Sequence, residues 1–118
     1  MESDEMKNEE IYRCSVELTL DVIGGKWKGV ILFHLMNAEE IRFNQFLRLM
    51  PGITQRMLTR QLRELEAAGV IHREVYKEVP PKVEYSLTKF GKSLTPIITL
   101  MRGWGDEYRT QIQVDQKQ

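Results

Sequence analysis

One segment of the sequence, residues 54–68, constrains the fold more than any other. At about 100° per residue, its leucines share one helical face and its arginines share the nearly opposite face. The leucines are Leu58, Leu62 and Leu65, and the arginines are Arg56, Arg60 and Arg63. This pattern predicts a helix that packs along one side and exposes guanidinium groups along the other. Thr54 is placed to cap its start, and Gly69 follows its end.

A second predicted helix precedes this segment. Asn44 is a suitable N-cap, and the residues after it supply apolar contacts: Phe46, Leu47, Leu49 and Met50. Pro51-Gly52 ends this helix abruptly. The sequence therefore predicts a helix, a tight turn and a second helix.

The N-terminal third predicts two further helices. Val16, Thr19, Leu20 and Ile23 recur at helical spacing and stop at the pair Gly24-Gly25. From Lys26 to about Met36, apolar residues spread around most of the helix. This second helix is predicted to lie in the core.

The C-terminal half predicts a hairpin and a long helix. Val70–Tyr76 and Val83–Leu87 are β-branched and aromatic, and the connection between them contains Pro80 and Pro81. Thr88 is predicted to cap a final helix with one apolar stripe, in which Pro96 is expected to cause a bend. The stripe consists of Phe90, Leu94, Ile97, Ile98, Met101, Trp104 and Tyr108.

Composition limits the chain to one domain. It has 118 residues with 42% hydrophobic content, and its 17 basic and 17 acidic residues cancel. Any electrostatic partner must therefore meet a local patch, and residues 41–77 are locally basic. We predict an acidic, flexible N-terminus at 1–12, a domain at 13–111 and a flexible C-terminus at 112–118.

Cellular location is predicted from the apolar runs and the cysteine content. No run approaches the ~20 apolar residues of a membrane span, and the acidic start does not resemble a signal peptide. Cys14 is the single cysteine, so a disulfide within the chain is excluded. We therefore expect a cytoplasmic protein without membrane contact.

The basic helix carries the residue types that bind DNA. Arginine, glutamine and threonine contact phosphates and base edges in the major groove, and a hairpin with further basic residues follows. The predicted DNA-binding residues are Thr54, Gln55, Arg56, Thr59, Arg60, Arg63, Arg73, Lys77 and Lys82. Two alternatives remain open: a solvated surface helix, and a protein-interaction module whose arginines contact an acidic partner protein.

Residues for catalysis or metal binding are not evident in the sequence. His34 and His72 lack other ligands at a metal-binding spacing and are interpreted as structural. We find neither a Ser/His/Asp set nor a glycine-rich phosphate loop. The expectation is a protein that is not an enzyme and uses no metal or cofactor.

Three blocks of sequence, residues 19–28, 51–66 and 78–88, resemble the HxlR-type family of bacterial transcriptional regulators. The resemblance runs from Cys14 to about Trp104. It implies an α+β winged helix-turn-helix with a two-stranded wing that includes residues 79–82, and a recognition helix at residues 55–68. It further implies a homodimer joined by the terminal helices and bound to double-stranded operator DNA. We expect a palindromic operator and repression rather than activation.

The resemblance also suggests a role for Cys14, because several family members sense electrophiles or oxidants through a cysteine before the first helix. Ser15 stands where a proline commonly follows that cysteine, and this chain lacks the second cysteine of some thiol-sensing relatives. The local sequence places the thiol at a helix start beside Arg13, which favours a thiolate, although Glu17 opposes it. The alternative for Cys14 is a small apolar side chain packed between subunits. A small-molecule or electrophile effector is compatible with either role of Cys14.

Overall fold

The computed structural model describes Glu9 and residues 11–117. Most of the predicted N-terminal segment, 1–12, lies outside the described residues, as does Gln118. The elements are α1 (Ser15–Ile23), α2 (Lys28–Met36), β1 (Ile41–Arg42), α3 (Phe43–Leu49), α4 (Gln55–Ala67), β2 (Ile71–Tyr76), β3 (Lys82–Leu87), α5 (Lys89–Lys92) and α6 (Thr95–Lys117). This arrangement confirms the predicted α+β class. Helix α6 continues past residue 111, where we expected the domain to end.

The sheet has three antiparallel strands in the order β1-β3-β2. The β2–β3 hairpin pairs Ile71 with Leu87 and confirms the predicted wing. Strand β1 adds to the other edge of β3 by pairing Ile41 with Tyr85. The sequence pattern did not predict β1, because a strand of two residues is too short to show alternation. The wing is thereby attached to the chain immediately before α3.

Helices α3 and α4 form the predicted helix-turn-helix. Gly52 in the turn has φ +95°, a conformation that glycine adopts without steric cost. The hydroxyl of Thr54 accepts a hydrogen bond from the backbone N–H of Met57 at 3.1 Å, which confirms Thr54 as the cap of α4. The turn and this cap fix where the recognition helix begins.

Asn44 does not cap α3, contrary to prediction. The helix begins at Phe43, so Asn44 lies within its first turn. The side chain of Gln45 instead reaches back and accepts a hydrogen bond from the backbone N–H of Arg42 at 2.7 Å. Pairing of Arg42 in β1 brings the chain into the helix two residues earlier than the capping preference suggested.

The C-terminal helix, in contrast, begins later than predicted. Thr88 caps the short helix α5 by accepting a hydrogen bond from the N–H of Gly91 at 2.9 Å. Its hydroxyl donates to the carbonyl of Gly69 at 2.7 Å. Helix α6 starts at Thr95, so Pro96 occupies the first turn, where no backbone N–H is needed. The predicted bend at Pro96 is therefore wrong.

Helix α2 runs through the core, as predicted. Ile31, Leu32 and Leu35 are at most 2% exposed and pack with Phe46 of α3 and the leucines of α4. Val30 is 41% exposed, so one side of α2 remains open to solvent. The core thus fixes α4 against α2 and leaves the outer surfaces of α4 and α6 uncovered.

Candidate nucleic-acid interface

The two faces of α4 differ as the sequence predicts. Its leucine face is at most 1% exposed, and its arginine face points to solvent. The buried residues are Leu58, Leu62 and Leu65, and the exposed ones are Arg56, Arg60 and Arg63. Packing of the leucines therefore leaves a row of guanidinium groups on the protein surface.

The polar residues at the start of α4 divide between local hydrogen bonds and solvent. Thr54 is used as the cap, and the hydroxyl of Thr59 donates to the carbonyl of Gln55 at 2.8 Å. The side chain of Gln55 is exposed. Among these three residues, Gln55 has the polar group most available to a partner.

Lys28 and Glu64 form a contact with the arginine row that the sequence analysis missed. The Arg60 Nε lies 3.3 Å from Glu64 Oε1, and the Lys28 Nζ lies 2.7 Å from Glu64 Oε2. Lys28, followed by Arg60, holds the pKa of the Glu64 carboxyl below its ordinary value. The pair Arg60–Glu64 was visible in the sequence at helical spacing, but the contact from α2 was not.

A groove between α4 and the sheet brings together residues predicted from separate motifs. Thr59 and Arg63 of α4 line it together with Arg73 of β2 and Tyr85 of β3. Glu66 also borders the groove and supplies negative charge there. The recognition helix and the first strand of the wing therefore present their basic residues to one common space.

The two predicted wing lysines differ in environment. Lys77 lies just after β2 and is exposed. Lys82 Nζ lies 3.0 Å from Glu84 Oε1 and 4.7 Å from the centroid of the Tyr76 ring. The hydrogen bond to Glu84 raises the pKa of Lys82. Of the two, Lys77 has the freer charge.

A second groove between α3 and the wing contains polar residues that the sequence analysis did not assign to a site. Asn44 and Arg48 of α3 line it together with Arg42 and with Lys82 of the wing. Arg42 Nε is 3.6 Å from Glu84 Oε1, so part of its charge is offset. The only sequence indication was the local excess of basic residues between positions 41 and 77.

Cys14 occupies the N-cap position of α1 and is exposed. The backbone N–H groups of Glu17, and then of Val16, lower the pKa of the thiol. Arg13 does not contribute as expected, because its side chain lies 2.8 Å from Asp21 and 3.4 Å from Glu17. The helix start, rather than Arg13, favours the thiolate.

Large apolar side chains are exposed on α1 and along α6. Leu20 of α1 is 57% exposed. On α6, Leu100 is 75% and Trp104 is 66% exposed, and the Trp104 ring stacks on Tyr108 at 5.2 Å between centroids. Large apolar side chains exposed in this number are typical of a protein interface.

The two histidines occupy different environments. His34 is half-buried, and burial lowers its pKa. His72 Nε2 lies 2.6 Å from Glu74 Oε2. Within the described part of the chain, no three His, Cys, Asp or Glu side chains are grouped to hold a metal ion. Over the same residues, every helix is too short or too polar to span a bilayer.

Comparison with known proteins identifies the family. A model of the HxlR-like helix-turn-helix family matches residues 22–113. The uncharacterised HTH-type transcriptional regulator YdeP of Bacillus subtilis (strain 168) is 65% identical over 99 residues, which cover 84% of this chain and 77% of YdeP.

Solved structures of the redox regulator HypR are also similar. The oxidised form is 63% identical with a TM-score of 0.76, covering 80% of this chain and 96% of the HypR chain. The reduced form is 58% identical with a TM-score of 0.80, covering 86% and 99%. The family model, these identities and the winged fold together show that this chain belongs to the HxlR-like helix-turn-helix family of transcriptional regulators.

Proposed function

We propose that this protein is a homodimeric repressor that binds a palindromic operator, with α4 in the major groove and the wing on the adjacent backbone. The observation that carries the proposal is the arginine face of α4, which lies opposite a fully buried leucine face. A recognition helix held in this way has its exposed side chains available to base edges in the major groove.

Individual residues are assigned roles by exposure and by existing contacts. Gln55, Arg56 and Arg63 are exposed and are the proposed base-reading residues. Arg60 shares Glu64 with Lys28 and is assigned to a phosphate or base at the groove edge. The remaining basic residues are assigned to phosphates: Arg73, Lys77 and Lys82.

The dimer is inferred from the apolar surface of α1 and α6. Leu20, Leu100 and Trp104 are each more than half exposed in the single chain. Burying them against a second copy removes apolar area from water and makes a two-fold interface. A two-fold protein requires an operator of matching symmetry, with half-site centres roughly 10 or 20 base pairs apart.

Footprinting of the protein on the DNA that flanks its own gene tests the proposal. The expected result is one protected, palindromic site that competitor DNA of unrelated sequence does not displace. Affinity should fall steeply with salt, because phosphate contacts release counterions. Binding that lacks sequence preference would instead favour the alternative, in which the arginine face contacts an acidic protein.

We also propose that Cys14 senses thiol-reactive compounds. Support comes from the exposure of the thiol, its lowered pKa, and the similarity to HypR, which is named a redox regulator. In the proposed dimer, a Cys14–Cys14 disulfide would form when two thiols lose two protons and two electrons to an oxidant such as diamide. A mixed disulfide with a small thiol, or an adduct with an electrophile, is the other route.

A further inference from the structure

An apolar pocket lies between α2 and α6, beside the turn that joins α1 to α2. It has a volume of about 310 Å³. Ile23 and Ile98, both at most 5% exposed, form its floor, and Phe33 and Met101 form its walls. This volume is at the lower end of the range for small-molecule sites, which suits a ligand of one or two fused rings.

Gly29 keeps the pocket open. A Cβ at this position would lie 3.8 Å from the terminal methyl of Met101, at ordinary contact distance. A methyl group is therefore tolerated, whereas a longer side chain would extend into the pocket. The absence of a side chain on this turn of α2 creates the space that the pocket occupies.

Two cations border this apolar space. Lys26 and Arg102 both line the pocket, and its lining contains no carboxylate. Lys26 Nζ lies 4.7 Å from the Trp27 ring centroid, and Arg102 Cζ lies 5.5 Å from that of Phe33. Among the ion pairs formed by the described residues, none includes Lys26 or Arg102. An apolar floor with two cations that lack carboxylate partners complements a molecule with an aromatic body and one negative charge.

The pocket is connected to the recognition helix through the start of α2. Lys28 lies between the pocket residues Lys26 and Gly29, and its Nζ contacts Glu64 of α4 at 2.7 Å. Lys26 lies two residues before Lys28, in the turn that leads into α2, so a ligand that draws Lys26 toward the pocket acts on the segment that positions Lys28. We propose that this pocket binds an aromatic carboxylate and that its occupancy alters the affinity of α4 for operator DNA. The second part of this proposal rests on the proposed function.

The site itself is tested without DNA, by calorimetric titration of the full-length protein with 2-naphthoate and with the uncharged 2-naphthamide. We expect the acid to bind at least about tenfold more tightly than the amide. The double variant Lys26→Gln/Arg102→Gln removes both positive charges from the pocket rim and should remove this difference. Equal affinities of the wild type for the acid and the amide would overturn the proposal. Failure of the acid to bind would also overturn it, and would indicate that a second copy of the chain covers the pocket.

A filled pocket provides the second test. Gly29→Leu should abolish binding of both compounds, whereas Gly103→Leu, at a helical glycine with open space around it and outside the pocket lining, should preserve it. Retained binding in a folded Gly29→Leu protein would place the ligand elsewhere and refute the site. If Gly29→Leu does not fold, the comparison of acid and amide binding in Lys26→Gln/Arg102→Gln still tests the site.

Coupling to DNA is measured separately, by operator affinity with and without saturating 2-naphthoate. Coupled sites typically differ by about fivefold or more, and we expect at least this change in wild type and none in Lys26→Gln/Arg102→Gln. Binding of naphthoate without a change in operator affinity would refute the regulatory part. Lack of sequence-specific DNA binding by the ligand-free wild type would instead refute the proposed function and leave the pocket result standing.

Discussion

The Nζ of Lys28, in the first turn of α2, lies 2.7 Å from the Oε2 of Glu64 on α4. The same carboxylate contacts Arg60 at 3.3 Å. One acidic side chain thus ties the recognition helix to the core helix and offsets part of the positive charge on the proposed DNA-binding face.

Glu64→Gln is therefore expected to increase DNA affinity for all sequences, because it frees Arg60 from a carboxylate. The salt dependence should steepen by about one released counterion. Fluorescence anisotropy at several salt concentrations measures both effects. Glu107→Gln, on exposed α6, makes the same charge change away from α4. Equal responses of the two variants would show that only net charge matters.

Arginine substitutions on α4 should separate base contacts from phosphate contacts. Arg63→Ala should cost about 1–3 kcal/mol on the operator and less on unrelated DNA. Lys77→Ala should weaken binding to all sequences alike and reduce the salt slope by about one. Lys89→Ala on α5 serves as the control. Unchanged operator affinity in both Arg60→Ala and Lys82→Ala at moderate salt would contradict the assigned interface.

Gly91→Ala is expected to destabilise the fold. A Cβ at this position would overlap the backbone carbonyl of Val70, which cannot move as a side-chain tip can. The expected loss is about 1–3 kcal/mol or more in the free energy of unfolding. Gly103→Ala, where the Cβ meets open space, should gain up to about 1 kcal/mol from helix propensity. Urea denaturation monitored by circular dichroism compares the stabilities of the two variants. Similar free energies of unfolding would disprove the close packing at Gly91.

Leu100→Glu is expected to dissociate the proposed dimer. Leu100 is 75% exposed in the single chain, so the charge disturbs the interface and not the core. Sedimentation at micromolar concentration should show a monomer with weaker operator binding. Gln113→Glu adds the same charge on another face of α6 and should remain dimeric. A wild-type monomer that binds its operator tightly would rule out the dimer.

Cys14 is expected to react at lower pH than an ordinary thiol. The backbone N–H groups of Glu17 and Val16 lower its pKa, so the reactive thiolate persists to more acidic pH. The alkylation rate of the native protein, measured against pH, should therefore have its midpoint below that of the unfolded chain. Coincident midpoints would contradict the effect of the helix start.

The sensor role of Cys14 requires a further comparison. Operator binding by wild type and Cys14→Ser is measured before and after diamide treatment. Diamide should alter DNA binding by the wild type only. Identical responses would return Cys14 to the role of a packed side chain.

The sequence by itself determined the helix-turn-helix, because its determinants are local. Leucine and arginine spacing within one helix, the Thr54 cap and the glycine at position 52 each act over a few residues. The hairpin of the wing was likewise predicted from local strand patterns, and the family resemblance added its functional meaning. Because its determinants are also local in sequence, the arginine face of the candidate site was predictable residue by residue.

Only the tertiary structure decided what depends on contacts between distant segments. Strand β1 exists because Ile41 meets Tyr85, and that pairing moved the start of α3 ahead of Asn44. The hydrogen bond from the Thr88 hydroxyl to the Gly69 carbonyl holds Thr88 as the cap of the short helix α5, so the long helix begins at Thr95. The Lys28–Glu64 contact and the Lys26–Arg102 pocket likewise join helices that no local pattern relates, because a fold brings side chains together across loops whose path the sequence period does not encode.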